Sequence, residues 1–350
     1  MTPDLALLLA QDGIANGAIY GLVALGIVLI FLVTRVIFVP FGDLVAYAAL
    51  TLAALQNGQR PGTLWLVLVL ALGAFLFEAV GLLRARAPHR LGRAVALWLL
   101  LPAVPVLATW LVQGRAVPDA VLVGVSIGLV LPMGPLIWRI AFRPIADAPV
   151  LVLLIVAVVL HFAISGVALM VFGPEGMRPR MLVGGSVVVG GMLFTGQTLL
   201  MLGASVLTTL ALWLFFGHTM AGKALRATAV NRAGARLMGI RPAVSGSIAF
   251  LLASLLAGVS GILIGPINTL SYDSGFIIGL KAFVGAIIGG MVSYPGAVLG
   301  ALFVGLLESF TAFWASQFKE VVVFGLLVPV LVARSLFTET EEAAEEGEEP

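Results

Sequence analysis

Long apolar runs separated by short polar breaks make up most of this chain. A helix of about 20 residues spans the roughly 30 Å hydrocarbon core of a bilayer. The runs show no alternation with a period of two, which disfavours a transmembrane β-barrel. The pattern predicts an all-α, polytopic transmembrane helical bundle of about eleven spans. The predicted spans are about 14–34, a run that ends at 55, 63–83, 94–112, 119–140, 149–172, 193–216, 248–270, 276–292, 295–313 and 321–336.

Two stretches leave the span count open. The segment 181–192 is apolar but short and glycine-rich, so it is not counted as a span. The run 276–292 is long enough either to cross the bilayer or to re-enter it. Glycine pairs at a spacing of four recur and predict close helix packing in a compact bundle. They are Gly17/Gly21, Gly124/Gly128, Gly261/Gly265, Gly285/Gly289 and Gly296/Gly300.

Composition supports a membrane protein. Hydrophobic residues make up 61% of the chain, charged residues only 10%, and the mean hydropathy is +1.15. A soluble core cannot hide so much apolar surface. There is no cysteine, so disulfides, thiolate nucleophiles and cysteine metal sites are excluded.

The positions of the basic residues predict the orientation of the chain. With the N-terminus outside and the C-terminus in the cytoplasm, 13 of the 19 basic residues fall on the cytoplasmic side and five outside. The basic excess therefore indicates orientation, not nucleic-acid binding. Seven of the 17 acidic residues follow Phe337, and the segment 339–350 is predicted to be an acidic, disordered tail.

The longest segment that does not suit lipid is the stretch Gly222–Ile240, GKALRATAVNRAGARLMGI, which we call the island. Leu225, Ala229, Ala233 and Leu237 recur at i+4 and form a narrow apolar stripe, as on an amphipathic helix. Arginines occupy the other faces. The pattern predicts a short helix outside the membrane that offers a docking surface to a partner.

Candidate chemistry is sparse. GHTMAGKA, from Gly217, matches seven positions of a phosphate-binding loop but has Ala224 where the magnesium-binding Ser/Thr belongs. Among ionisable residues inside apolar runs, Lys281 and Glu308 are candidates for an ion pair. His161 and Glu78 lack sequence neighbours that suggest a proton relay, so packing or hydrogen-bonding roles are favoured. No catalytic constellation or metal-ligand spacing is visible, which disfavours an intramembrane enzyme.

Several stretches together resemble the permease subunits of branched-chain amino acid ABC importers. They are the island, the segment LKAFVGAIIGGMVSYPGAVLGALFVGLLESF that begins at Leu280, NGAIYGLVALGIVLIF at Asn16, and RIAFRPI at Arg139. FGDL at Asp43 sits where the family carries His-Gly-Asp/Glu. The chain departs from the family's Asn-Phe-Ala-His-Gly before that acidic residue, because 38–42 reads FVPFG. Relative to the usual eight spans, 84–130 resembles an inserted hairpin.

The resemblance implies an inner-membrane subunit with several partners. Residues 1–338 would form the permease domain, and 217–247 would be its cytoplasmic coupling loop. The implied partners are a second permease subunit, an extracytoplasmic solute-binding protein, membrane lipid, and ATP-binding subunits that carry ATP and Mg²⁺. This chain itself would bind no cofactor. The residues expected to couple to the ATPase are Gly222, Leu225, Arg226, Ala229, Arg232, Arg236, Leu237 and Gly239.

Polar residues inside the bundle are candidates for the substrate path, because a zwitterionic amino acid needs polar partners there. These candidates are Asn16, Tyr20, Asp43, Asn268 and Lys281. Two alternatives to a branched-chain amino acid importer remain open. A related importer of urea or short amides would share the same motifs, and an ion-coupled secondary transporter would need no ATPase.

Overall fold

The structure is a computed structural model that describes residues 3–86, 88–115, 117–189, 192–291 and 293–332. The acidic segment 339–350 lies outside the described residues. Helices dominate the described part. They are α1 (Pro3–Thr34), α2 (Phe41–Gln56), α3 (Thr63–Arg84), α4 (Leu91–Val95), α5 (Leu101–Val112), α6 (Asp119–Val130), α7 (Met133–Ile137), α8 (Val150–Phe172), α9 (Gly196–His218), α10 (Met220–Val230), α11 (Arg232–Leu237), α12 (Pro242–Ile264), α13 (Ser274–Ile288), α14 (Tyr294–Ala315) and α15 (Lys319–Gly325).

Within the described residues, eight helical segments are long and apolar enough to cross a membrane. Two of these segments contain a π-helical turn. The turn at Ala96–Leu100 joins α4 to α5, and the turn at Trp138–Phe142 extends the segment that contains α6 and α7. The predicted run 295–313 and the described part of the run 321–336 belong to one such segment, Tyr294–Val332, which a 3₁₀ turn at Ser316–Phe318 interrupts. The all-α, multi-pass prediction is confirmed at this level, and the count of eleven spans stays a prediction.

Two apolar helices are too short to cross the bilayer by themselves. α2 has 16 residues and α13 has 15, so each is about 22–24 Å long at 1.5 Å per residue. They pack against each other where Gly42 meets Gly275 and Gly279 with almost no space between the backbones. A short non-helical segment, 35–40, separates the end of α1 from the start of α2. Short helices of this kind inside transporters are typical of substrate and ion sites.

The core lies around α1, which packs against α12, α13 and α14. Glycines make these contacts close. A Cβ on Gly17 would lie 2.8 Å from the Leu302 backbone, and one on Gly285 would lie 2.6 Å from the Ala301 backbone. The packing predicted from the glycine pairs is therefore confirmed for α1 and α13. Gly124 is the exception, because nothing lies within 4 Å of the corresponding position.

A β-hairpin departs from the otherwise helical pattern. Strands β1 (Ser186–Val189) and β2 (Met192–Thr195) pair antiparallel immediately before α9. β1 falls within the short, glycine-rich stretch 181–192 that was not counted as a span, whereas β2 extends into the predicted span 193–216, whose helix begins only at Gly196. Valine and other residues of high β-propensity favour strands here, and the stretch is too short for a spanning helix.

Loops that the charge pattern assigned to the outside come together at one end of the bundle. The Arg60 Nε donates to Gln113 Oε1 at 2.9 Å, so the turn after α2 meets the turn after α5. The Arg178 Nε donates to the Pro266 carbonyl oxygen at 2.8 Å, next to the end of α12. Among the described residues of 84–130, α4, α5 and α6 form a helical hairpin, and the status of this segment as an insertion stays a prediction.

Candidate functional site: the island and two buried ion pairs

The island is two helices, not the single helix that its apolar stripe predicts. α10 and α11 are separated at Asn231, whose backbone is extended (φ −146°, ψ 101°). The Thr219 hydroxyl accepts from the Gly222 N–H at 3.0 Å, and Asn231 Oδ1 accepts from the Gly234 N–H at 2.8 Å. Thr and Asn are favoured N-cap residues, so the break at Asn231 was readable from the sequence.

The break splits the predicted apolar stripe. Leu225 is buried in a cluster with Leu29 and Val33 of α1 and Ala249 of α12. Leu237, one helix later, is exposed. The expectation that Leu225 and Leu237 offer one shared surface to a partner is therefore wrong. Leu225 holds the island against the bundle because its burial removes apolar surface from water.

Three other predicted coupling residues also differ in how far they are exposed. Gly222 is buried, and a Cβ there would overlap the backbone of Phe215, so it lets α10 fold back on α9. Ala229 is half-buried, and Gly239 is exposed in the turn that follows α11 with φ +80°. A positive φ favours glycine, so Gly239 shapes the path toward α12.

The arginines of the island have two different roles. Arg232 Nη1 donates to the Ala146 carbonyl oxygen at 3.2 Å, and Arg236 forms an exposed 3.4 Å ion pair with Asp147. These contacts place α11 beside the end of the RIAFRPI segment. Burial lowers the pKa of the Arg232 guanidinium, Asp147 opposes that shift, and Arg236 adds to it. Arg232 therefore fastens the island to the rest of the chain, whereas Arg226 points to solvent.

Four apolar side chains on α10, α11 and the turn that follows α11 are almost fully exposed. Met220 is 84% exposed, Val230 86%, Leu237 89% and Met238 82%. Sequence reasoning identified only Leu237 among them, because the other three lie off the i+4 stripe. Large apolar residues clustered on a surface mark interaction sites when polar residues surround them.

Lys281 and Tyr20 meet at one buried carboxylate. Glu308 Oε1 lies 2.5 Å from the Lys281 ammonium, and the Tyr20 hydroxyl donates to Glu308 Oε2 at 2.6 Å. All three residues are buried, and they tie α1, α13 and α14 together. The predicted ion pair between Lys281 and Glu308 is confirmed. Each carboxylate oxygen has a partner, which is what makes such a pair tolerable inside a bundle.

Asp43 has a different partner. Its Oδ2 lies 2.7 Å from His161 Nδ1, which joins the first turn of α2 to the middle of α8. The His161 ring stacks on Phe276 of α13 with centroids 4.6 Å apart. Asp43 Oδ1 is buried and has no hydrogen-bond partner among the described residues. Sequence reasoning missed this pair, because 118 residues separate its members and nothing local marks them.

The remaining candidates lie apart from these two clusters. Asn16 is half-buried and makes a long 3.4 Å contact with Asp12, whereas Asn268 is exposed in the turn after α12. Glu78 forms a 2.6 Å ion pair with Arg139, so it too has a partner that the sequence did not reveal. The structure does not bring the five predicted path residues together at one place.

The family model and the curated relatives that match this chain carry the same description. The sequence model described as branched-chain amino acid transport system/permease component matches residues 9–331. The high-affinity branched-chain amino acid transport system permease protein BraD of Pseudomonas aeruginosa is 33% identical over 60% of this chain and 70% of its own length. LivH of Escherichia coli K12, of the same description, is 31% identical over 56% of this chain and 66% of its own.

Among solved structures, PsaBC from Streptococcus pneumoniae in complex with Fab aligns with a TM-score of 0.36 and 12% identity, over 92% of this chain and 89% of that chain. The family match is independent of this alignment and covers nearly all of the described bundle. The apolar helices and the family match together show a multi-pass membrane permease. The chain belongs to the family of branched-chain amino acid transport system permease components.

Proposed function

We propose that this chain is the membrane-spanning subunit of an ATP-driven importer of branched-chain amino acids. In this proposal the energy enters through the island. The observation that carries it is the group of exposed apolar side chains on α10 and α11, bordered by cationic ones. We call this group the coupling surface, and it consists of Met220, Lys223, Arg226, Val230, Arg236, Leu237 and Met238.

The chemistry of the coupling surface suits a protein partner. Exposed methionine and leucine side chains fill apolar grooves, and the surrounding cations select an acidic rim. The buried Leu225 and the Arg232 contact fix the surface on the bundle, so a push on α10 and α11 is carried to α1 and α12. The occupant is an ATP-binding subunit that holds ATP and Mg²⁺, and this chain supplies neither site.

Further parts of the proposal follow from the family. A second permease subunit, identical or homologous, completes the transmembrane path, and an extracytoplasmic binding protein delivers the substrate. The chain lies in the bacterial inner membrane with its coupling surface in the cytoplasm, as the basic residues favour. The names of BraD and LivH support branched-chain amino acids as the substrate class.

Co-purification tests the coupling surface. The chain is co-expressed with an ATP-binding subunit from its source organism, and retention is compared for wild type, Leu237→Ser and Arg236→Glu. We expect at least tenfold weaker binding for each variant, which corresponds to about 1.4 kcal/mol. Arg93→Glu is the matched control, because Arg93 is an exposed arginine that the charge pattern assigns to the same side of the membrane.

The control variant is expected to bind as wild type does. Equal retention of all four proteins would contradict coupling through the island. Uptake by the purified chain alone, driven by an ion gradient, would favour a secondary transporter instead. Comparison of leucine, isoleucine, valine and urea in the full complex distinguishes the amino acid importer from an amide importer.

A further inference from the structure

A partly open cavity of about 300 Å³ lies between α1, the non-helical segment 35–40, α8 and α13. Its volume is at the low end of the range for small-molecule sites, about 300–1,000 Å³. The walls are mostly aliphatic and aromatic, and they include Ile27, Phe38, Val158, Phe276 and Phe283. Such walls suit a small ligand with an aliphatic body.

One wall of the cavity is polar. His161 is the titratable side chain among the described residues that line the cavity, and its Nδ1 is engaged with Asp43. When Nδ1–H donates to that carboxylate, Nε2 keeps a lone pair and becomes a hydrogen-bond acceptor. Asp43 lies behind the ring, and its Oδ1 is a further acceptor that has no partner among the described residues. This end of the cavity is therefore built to accept hydrogen bonds from a cationic group.

The non-helical segment 35–40 has backbone donors in residues that line the same cavity. Ile37 and Phe38 both line it. Among the described residues, neither backbone N–H has an acceptor, whereas the Val39 N–H reaches the Ile37 carbonyl oxygen. Irregular backbone at membrane depth is tolerated where it lines a cavity that satisfies its polar groups. An anionic group of a ligand would satisfy them.

We propose that this cavity binds an aliphatic amino acid in its zwitterionic form. The ammonium faces His161 and Asp43, the carboxylate meets the backbone N–H groups of Ile37 and Phe38, and the aliphatic side chain packs on the apolar walls. The site rests on the function proposed above, and it places the substrate inside one permease chain beside the short helices α2 and α13.

A photo-crosslinking experiment tests the location. The complete complex in proteoliposomes is illuminated with a diazirine analogue of leucine, and the labelled peptides are identified by mass spectrometry. We expect labels within 37–39, 154–162 or 276–283, and excess leucine should suppress them. Labelling confined to other segments of the chain, or labels at these segments that excess leucine leaves unchanged, would overturn the proposal.

A matched pair of variants tests occupancy. Val158 lines the cavity and is 36% exposed, whereas its neighbour Val159 is 63% exposed and lies off the cavity. Val158→Phe fills the cavity and is expected to lower ATP-driven leucine uptake at least tenfold. Val159→Phe adds the same bulk to the same helix and should stay within twofold of wild type. Equal uptake by both variants and wild type would overturn the proposal.

Two readouts separate a lost site from a lost fold or a wrong function. Membrane abundance and ATPase retention show whether Val158→Phe assembles, and the crosslinking result on wild type does not depend on that variant. Absence of ATP-driven leucine uptake in the wild-type complex would overturn the proposed function itself. Normal wild-type uptake with labels elsewhere would overturn only the binding site.

Discussion

Two buried acidic side chains serve this bundle differently. Both carboxylate oxygens of Glu308 have a partner, because Lys281 and Tyr20 each donate to one of them. For Asp43, His161 contacts Oδ2, and within the described part of the chain Oδ1 has no partner. A buried polar group without a partner is costly, about 1–3 kcal/mol, so its persistence needs an explanation.

The surroundings of the two pairs supply the explanation. Around Glu308 the helices α1, α13 and α14 meet through glycines, and the packing there is close. Beside His161 the packing opens into the 300 Å³ cavity. The first pair therefore holds the bundle together, whereas the second has the features of a site that takes a ligand. The contrast predicts that substitutions at the first pair impair stability and those at the second impair transport.

The largest stability effect is expected at Glu308. Glu308→Leu leaves the Lys281 ammonium and the Tyr20 hydroxyl buried without their shared acceptor. Loss of one member of a buried pair costs about 3–5 kcal/mol. The measurement is thermal unfolding of the purified chain in detergent. The double variant Lys281→Met/Glu308→Leu should recover most of the loss, and a double variant as unstable as the single one would contradict a structural role.

Glycine packing comes next. Gly285→Ala would place a methyl group 2.6 Å from the Ala301 backbone, so α13 and α14 must separate. We expect a loss of about 1–3 kcal/mol, as for other overpacked positions. Gly124→Ala is the control, since nothing lies within 4 Å there, and its unfolding temperature should be unchanged or higher. Similar losses at both sites would show that the close contact between Gly285 and the Ala301 backbone does not cause the loss of stability.

At Asp43 the expected loss of stability is smaller. Asp43→Asn removes the carboxylate but keeps a side chain that can hydrogen-bond to His161. The free energy of unfolding should therefore fall by no more than about 1 kcal/mol. Leucine uptake should nevertheless fall at least tenfold. Strong destabilisation with normal specific uptake would reverse the contrast between the two pairs.

The smallest stability effect is expected on the coupling surface. Arg236 and Leu237 are exposed, and their contacts within the chain are slight. Substitution of either should change the free energy of unfolding by less than about 0.5 kcal/mol. A clear loss of stability in Arg236→Glu would mean that its ion pair with Asp147 supports the fold, and the weaker ATPase binding would then need another explanation.

The sequence predicted what depends on local pattern. Apolar run length and the polar breaks identified the helical bundle, and the Gly285/Gly289 spacing predicted a close helix contact that exists. The break at Asn231 was missed because the i+4 stripe was read through an N-cap residue. The two long-range partners of Asp43 and Glu78 were not predictable, because pairing across 118 and 61 residues depends on tertiary packing.

The short helices show the same limit. The hydropathy of α2 and α13 matches that of a span, and only their lengths in the structure and the contact at Gly42 reveal them as two abutting pieces. The cavity beside them arises from this arrangement. No run of residues in the chain encodes it, since its walls come from four separate segments.

ATP-driven uptake in proteoliposomes tests the central claim most directly. The vesicles contain this chain with its partner permease, ATP-binding subunits and binding protein, and labelled leucine is counted with ATP or a non-hydrolysable analogue inside. The account predicts uptake with ATP only, and at least a tenfold loss for Leu237→Ser at equal membrane abundance. Uptake that persists without ATP hydrolysis, or without the ATP-binding subunits, would contradict it.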